Sequence, residues 1–275
     1  MDSYKATKEF WDWPRDPDRY KLFPDEAKEH PAKMNTRMFL RLMELYSKPG
    51  DTILDPMSGI GTVHMAAWHG RHTVGLELNP RFAEIQRLAY EGTLPKAYGR
   101  SATGTIAVLV GDCRRLLPLP VIGFPLVDAV IFSPPYGNTI KAGRTAGFKR
   151  NESDKASAST SYGGDPASVG ELDMASYGIA MKIIYEKILG SMKPGAFMVT
   201  VTQDFVRQRK RVPVTQHNIR VAMEAGFPPP VDWHKRNSPG GLGAQVERVE
   251  RRELGIVIEE NTEEDAVVFR KEGAR

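Results

Sequence analysis

A chain of 275 residues that is 41% hydrophobic and 26% charged can bury one large core, and its formal net charge of +4 is compatible with a polyanionic partner. The single cysteine, Cys113, excludes a disulfide framework and a cysteine-based metal site within one chain, and fits a reducing compartment. No run reaches membrane-spanning length and no signal-peptide core follows Met1, so a cytoplasmic protein without a membrane partner is expected.

Residues 1–28 mix Trp11, Trp13, Pro14, Pro17 and Pro24 with charges and read as an irregular arm whose aromatics either pack on the domain, the favoured reading, or meet a partner. Residues 29–275 read as one α/β domain. Met38, Phe39, Leu42, Met43 and Leu45 recur at helical spacing and predict a helix over Thr36 to Tyr46. A short strand, Asp51 to Asp55, runs into the loop from Pro56 to Thr62, and Val63 to His69 predict a helix. A second strand at Thr73 to Glu77 precedes a helix from Pro80 to Tyr90, with proline early in its first turn. Ile106 to Val110 and Val127 to Phe132 complete four strands alternating with helices, the pattern of a Rossmann-like, doubly wound and mainly parallel sheet.

Residues 137 to 172 turn to Gly, Ser, Thr and basic residues. They predict a long loop insert that is either a solvated linker or a clamp whose Lys141, Arg144, Lys149 and Arg150 contact phosphates. A helix over Met174 to Met192 and a fifth strand over Ala196 to Thr202 resume the sheet. A helix over Thr215 to Ala225 precedes strands at Val231 to His234, Gly255 to Ile258 and Ala266 to Phe269, which would make an antiparallel edge hairpin. A second loop, about 235 to 250, is glycine-rich and basic, with Lys235 and Arg236 as nucleic-acid-facing candidates. The six histidines have no carboxylate or cysteine arrangement that points to a metal.

Two loops carry the chemistry. Ser133-Pro134-Pro135-Tyr136 follows a buried strand, where a serine hydroxyl and a proline carbonyl accept hydrogen bonds from an exocyclic amine while a tyrosine ring stacks on a flat heterocycle. In the loop Asp55-Pro56-Met57-Ser58-Gly59-Ile60-Gly61-Thr62, the glycines permit a tight turn, and amides opening the next helix suit a carboxylate. Glu77 and Asp112 close the second and third strands, where carboxylates accept from ribose hydroxyls and from an adenine amino group.

With both loops at the edge of one sheet, the chain resembles the S-adenosylmethionine-dependent amino-methyltransferases of DNA, which carry a D-P-x-x-G-x-G-T loop and an (S/D/N)-P-P-Y loop. The segment Glu29-His30-Pro31-Ala32-Lys33-Met34 is similar to the family's H-P-x-K element, which flanks the methionine end of the cofactor. The resemblance spans roughly residues 28 to 136. It implies a class I methyltransferase fold, cofactor contacts from His30, Pro31, Lys33, the Asp55-to-Thr62 loop, Glu77, Leu78, Asp112 and Cys113, and a flipped base held by Ser133, Pro134, Pro135 and Tyr136. It implies DNA as partner, with a cognate restriction endonuclease among the options. The serine form of the tetrapeptide accompanies cytosine-N4 specificity in the family, and the aspartate and asparagine forms adenine-N6. An RNA amino-methyltransferase and a non-catalytic nucleic-acid-binding scaffold are the alternatives, and cofactor binding separates the scaffold from the enzymes.

Overall fold

The computed structural model describes residues 9–13, 16–30, 33–135, 167–207, 210–237 and 263–273. Its centre is an eight-stranded sheet built from β1 (Phe10–Trp11), β2 (Thr52–Asp55), β3 (His72–Glu77), β4 (Ile106–Val110), β5 (Val127–Phe132), β6 (Met192–Thr202), β9 (Asp232–Asn237) and β10 (Glu263–Arg270). Their order is β1-β9-β10-β6-β5-β2-β3-β4. The run from β6 to β4 is parallel throughout, whereas β10 is antiparallel to both β6 and β9. A two-stranded antiparallel sheet, β7 (Phe205–Arg207) with β8 (Lys210–Val212), branches off after β6.

Successive residues of a strand face opposite sides of the sheet, and here both sides are covered. Leu54, Val130, Phe132, Val267 and Phe269 enter one core with α6 (Met174–Ser191) and α7 (Val214–Glu224). Their neighbours Ile53, Ala129, Ile131, Ala266 and Val268 enter the other with α2 (Thr36–Tyr46) and α3 (Pro80–Leu88). That double burial is why the strands read as unbroken apolar runs. Shorter helices complete the chain: α1 (Arg19–Leu22), α4 (Leu94–Tyr98) and α5 (Cys113–Leu116).

Several expectations shift. Thr62–His69 is a 3-10 helix, bounded by Gly61 (φ 83°) and Gly70 (φ 78°), and buried from Thr62 to Trp68. The helix expected over Pro80 to Tyr90 stops being α-helical at Leu88 and widens into a π turn at Ala89–Thr93 before α4. Pro95 stands there without an N–H to continue the regular ladder. The edge hairpin is formed by β9 and β10, and β10 sits inside it, hydrogen-bonded to β6; residues 255 to 258 lie outside the described residues.

The arm supplies the outermost strand, since Phe10 and Trp11 pair in parallel with Lys235 and Arg236. Trp11 is buried and stacks on both Trp13 and His234, so this part of the arm does pack on the domain. Asp16 fastens the next stretch by accepting from the Thr36 amide (2.9 Å) and hydroxyl (2.5 Å) at the start of α2. Among the described residues no helix is long and apolar enough to cross a membrane.

Candidate active site

From β2 the chain runs outward through β3 and β4 and then crosses back to place β5 on the other side of β2, and ligands of doubly wound sheets bind outside the carboxyl ends at such a reversal. A cavity of about 570 Å³ lies there. Its walls bring together the loop after β2, Glu77 and Leu78 after β3, Asp112 and Cys113 beyond β4, and Ser133, Pro134 and Pro135 after β5. His30 and Lys33 close it from the amino-terminal side. Of the remaining sequence candidates, Gly61 stands behind the wall, against His64 and Gln86. Pro31, Tyr136, Lys141, Arg144, Lys149 and Arg150 lie outside the described residues.

The glycine loop is held from behind. Gly59 (φ 52°) and Gly61 (φ 83°) occupy the left-handed region, and an added Cβ would come within 2.9 Å of His30 Nε2 at the first and 2.8 Å of His64 Cδ2 at the second. Gln86 Nε2 donates to the Gly59 carbonyl (2.8 Å) and to Ser58 Oγ (2.9 Å), and Gln86 Oε1 faces His64 Nε2 at 2.9 Å. Because the Gln86 amide nitrogen spends both donors on the loop, its oxygen must accept, so His64 carries its proton on Nε2 and accepts at Nδ1 from Thr73 Oγ1 (2.9 Å). Burial pushes His64 down to about 4 and keeps it neutral.

Four of the loop amides are engaged within the loop and its neighbours. Met57 donates to Asp55 Oδ1 (2.9 Å), Ser58 to the Leu76 carbonyl (2.9 Å), Gly59 to Glu77 Oε2 (2.8 Å) and Gly61 to the Ser58 carbonyl (2.7 Å). They are spent on closing the turn and on capturing Glu77, whose other oxygen accepts from Asn79 (2.8 Å).

Two carboxyls are thereby carried into a poorly solvated wall. Burial raises Asp55 to about 8, with the charge of Glu77 adding to it and the Met57 amide opposing. Burial raises Glu77 to about 7 against the amides of Asn79, Gly59 and Leu78. A carboxylate offers about four acceptor positions, so Glu77 retains capacity for hydroxyl donors beyond its backbone partners. Asp112 differs: burial pushes it up, but Arg114 (2.8 Å) and the Arg114 amide outweigh that and leave it below the usual carboxylate range. It also caps α5. Burial pushes the Cys113 thiol up to about 12, so it stays protonated and is no nucleophile.

Arg236, expected to face nucleic acid, does not. Its side chain is 6% exposed, pairs with Glu264 (2.6 Å) and donates to the Trp13 carbonyl (2.6 Å), tying β9 to β10 and the arm. Lys235 is partly exposed and pairs with Glu263 on the neighbouring strand. Both belong to β9 rather than a loop, and residues 238 to 250 are outside the described residues.

Sequence reasoning missed Asp16, Arg19, Phe82, Gln203 and Glu264 in the cavity wall. Gln203 follows directly on β6, and the carboxyl-edge rule that found Ser133 points equally to it. Phe82 meets the His30 ring edge-on at 4.5 Å, a contact between segments that no spacing rule connects. Among the described residues no group of three or more His, Cys, Asp or Glu could hold a metal ion.

Residues 2–88 match a family model described as DNA methylase. The chain is 33% identical over 84 residues to the DNA adenine methyltransferase YhdJ of Escherichia coli (strain K12), a span of 30% of this chain and 26% of that protein, so the match covers about a quarter of the curated relative's length. Among solved structures, a putative SAM-dependent methyltransferase from Streptococcus mutans superposes with a TM-score of 0.50 at 12% identity, covering 86% of this chain and 49% of that one. The fold is that of class I methyltransferases. TrmN from Thermus thermophilus aligns over 86% of this chain and 48% of its own, at 17% identity and a TM-score of 0.45. The family match ends at α3, before Ser133.

Proposed function

We propose that the protein transfers a methyl group from S-adenosylmethionine to the exocyclic amine of a base in DNA. The observation that carries this reading is the single cavity that joins the Asp55-to-Thr62 loop, Glu77 and Asp112 to Ser133, Pro134 and Pro135. Its walls suit that cofactor: Glu77 keeps acceptor positions for ribose hydroxyls, and Leu78 and Cys113 give an apolar wall beside Asp112 for an adenine. When bound, S-adenosylmethionine supplies a sulfonium methyl that needs no further activation.

The protein's own part is to present the amine. Ser133 Oγ and the Pro134 carbonyl accept its two N–H bonds, which draws the nitrogen out of conjugation with the ring and frees its lone pair. Pro134 and Pro135 have no backbone N–H, so no main-chain donor of either competes for that lone pair. Positioning then supplies most of the rate. A base inside a duplex has to be flipped into the cavity, at a cost of a few kcal/mol, and Tyr136 is the residue for stacking on it.

Cytosine N4 is the target favoured by the serine at the head of the tetrapeptide; adenine N6 is favoured by the similarity to the E. coli DNA adenine methyltransferase. Incubation with S-adenosylmethionine and unmethylated DNA, digestion to nucleosides and identification by mass decides between them. N4-methylcytosine supports the first and N6-methyladenine the second. Methylated product in RNA alone, or in neither nucleic acid, overturns the DNA reading.

A further inference from the structure

The hairpin β7–β8 leaves the sheet beside the cavity. β6 ends at Thr202, Gln203 lines the cavity, and β7 begins two residues later at Phe205. The two short strands pair antiparallel, with Phe205 opposite Val212, Val206 opposite Arg211 and Arg207 opposite Lys210; residues 208 and 209, which join them, lie outside the described residues. The root is fixed on three elements. Asp204, 6% exposed, accepts from the Thr215 amide at the start of α7 (2.9 Å) and from Arg211 Nε (2.8 Å), while Thr215 Oγ1 donates to Asp265 Oδ2 on β10 (3.0 Å) and meets Thr202 Oγ1 on β6 (2.9 Å). Because β5 and β6 are parallel neighbours, the hairpin springs from the same carboxyl edge that presents Ser133.

The charge of this stretch is one-sided. Residues 205–223 carry Arg207, Arg209, Lys210, Arg211 and Arg220 without a single Asp or Glu, in a chain whose cations and acids total 38 and 34. The acids at this end of the sheet hold other cations: Asp204 holds Arg211, Glu263 holds Lys235 and Glu264 holds Arg236. The register makes the imbalance costly, because Arg207 and Lys210 are direct cross-strand partners and like charges set opposite one another destabilise a ladder. A polyanion laid against the hairpin turns that repulsion into attraction. Reach fits as well. Arg207 stands four residues past Gln203, so its backbone is no more than about 14 Å from a residue of the cavity wall, and a base drawn into the cavity leaves its flanking phosphates at the cavity mouth. We propose that the β7–β8 hairpin is a phosphate-binding ribbon, in which Arg207 and Lys210 contact the backbone of the DNA strand whose base enters the cavity. This rests on the reading of the cavity as the site where a DNA base is methylated, and it adds a strand-holding surface to that site.

The test is binding of fluorescently labelled DNA duplexes of unrelated sequence across a range of salt, for the full chain and for the double variant Arg207→Gln with Lys210→Gln. Two lost phosphate contacts make the plot of log affinity against log salt shallower by about two, and affinity falls alike for every duplex. S-adenosylhomocysteine binding, read by calorimetry, stays as in the parent, and the melting temperature does not fall, because a like-charge pair has been removed. The exchange Arg207→Lys with Lys210→Arg, which keeps both charges, keeps the parent's salt slope. An unchanged slope in the double variant overturns the assignment, as does a slope that falls equally in the exchange variant. A lowered melting temperature with S-adenosylhomocysteine binding lost makes the hairpin structural and overturns it too. So does an unchanged slope with lost discrimination between duplexes, which gives the hairpin to base edges, or a slope that falls for RNA and not for DNA. If the unaltered chain binds no DNA at all, the DNA reading itself falls, and that result is distinct because it appears before any substitution.

Discussion

Gln86 is the tie between the glycine loop and the core, and Gln86→Leu measures what that tie is worth. The side chain is fully buried, and the substitution keeps its bulk while deleting three hydrogen bonds. Ser58 Oγ retains its bond to the Leu76 carbonyl (3.1 Å), so two buried groups are orphaned: the Gly59 carbonyl and the His64 Nε2–H. Each unsatisfied group costs about 1–3 kcal/mol, and the two together about 2–6 kcal/mol. That is a large part of a typical stability of about 5–15 kcal/mol. At roughly 2–4 °C per kcal/mol for a chain of this size class, the melting temperature falls by about 4–24 °C. Urea denaturation with an unchanged slope gives the stability loss directly. Cofactor affinity should fall further than stability alone requires, because Gly59, held at a φ of 52°, is then free to turn its amide away from Glu77. A stability loss under about 1 kcal/mol with intact cofactor binding would refute the argument that this network sets the loop.

Glu77→Gln tests the buried carboxyl. A folded-state value near 7 against the ordinary 4.5 means the folded protein holds the proton longer than the unfolded chain, so the stability from this group is complete below about pH 4.5 and is lost as pH rises through 7. The amide variant should remove about 3 kcal/mol of that pH-dependent loss in denaturant titrations from pH 4.5 to 8, while weakening cofactor binding; a pH profile identical to the parent's would count against the burial argument. Arg236→Ala leaves the partly buried Glu264 without its partner and should cost about 1–3 kcal/mol of stability. The salt slope of DNA binding should stay as it was, and a slope reduced by about one would show a phosphate contact instead. Ser133→Asp should move the product toward N6-methyladenine, read by nucleoside mass, and an unaltered product profile would remove the serine as base reader.

Strand placement was legible because the parallel strands leave continuous apolar runs: Val127 to Phe132, buried on both faces, and Ile106 to Val110, partly buried at the sheet edge, appear in the structure at the expected bounds. The two loops were legible for a related reason, since each follows such a strand directly and needs no long-range information to be placed. What sequence could not carry is pairing over distance. Arg236 looked like a surface cation because its neighbours are basic and glycine-rich, yet its partner, Glu264, is 28 residues away and adjacent only through the β9–β10 register. Arg19 stood in an arm rich in proline and charge, with no period or motif to mark it. The 3-10 winding of Thr62–His69 was hidden as well, because an apolar run buried on every side gives no periodicity by which two kinds of helix could be told apart.

The arm and the far sheet edge depend on one another through the same residues that shape the cavity. Phe10 and Trp11 cover the outer edge of β9, Trp13 accepts from Arg236, and Arg236 holds Glu264 against the cavity wall. Five residues beyond Trp11, Asp16 fixes the start of α2, and Arg19 reaches the Met34 carbonyl in the segment that also presents Lys33. An exposed strand edge invites pairing with other chains, so covering β9 has value apart from any ligand. Cavity and edge are therefore closed by one continuous stretch of backbone, and a change that frees the arm acts on both at once. In limited proteolysis, ligand that occupies the cavity should slow cleavage between residues 12 and 19, because Asp16 and Arg19 line that cavity. Cleavage there at the same rate with and without S-adenosylhomocysteine would show that the arm closes the sheet edge alone.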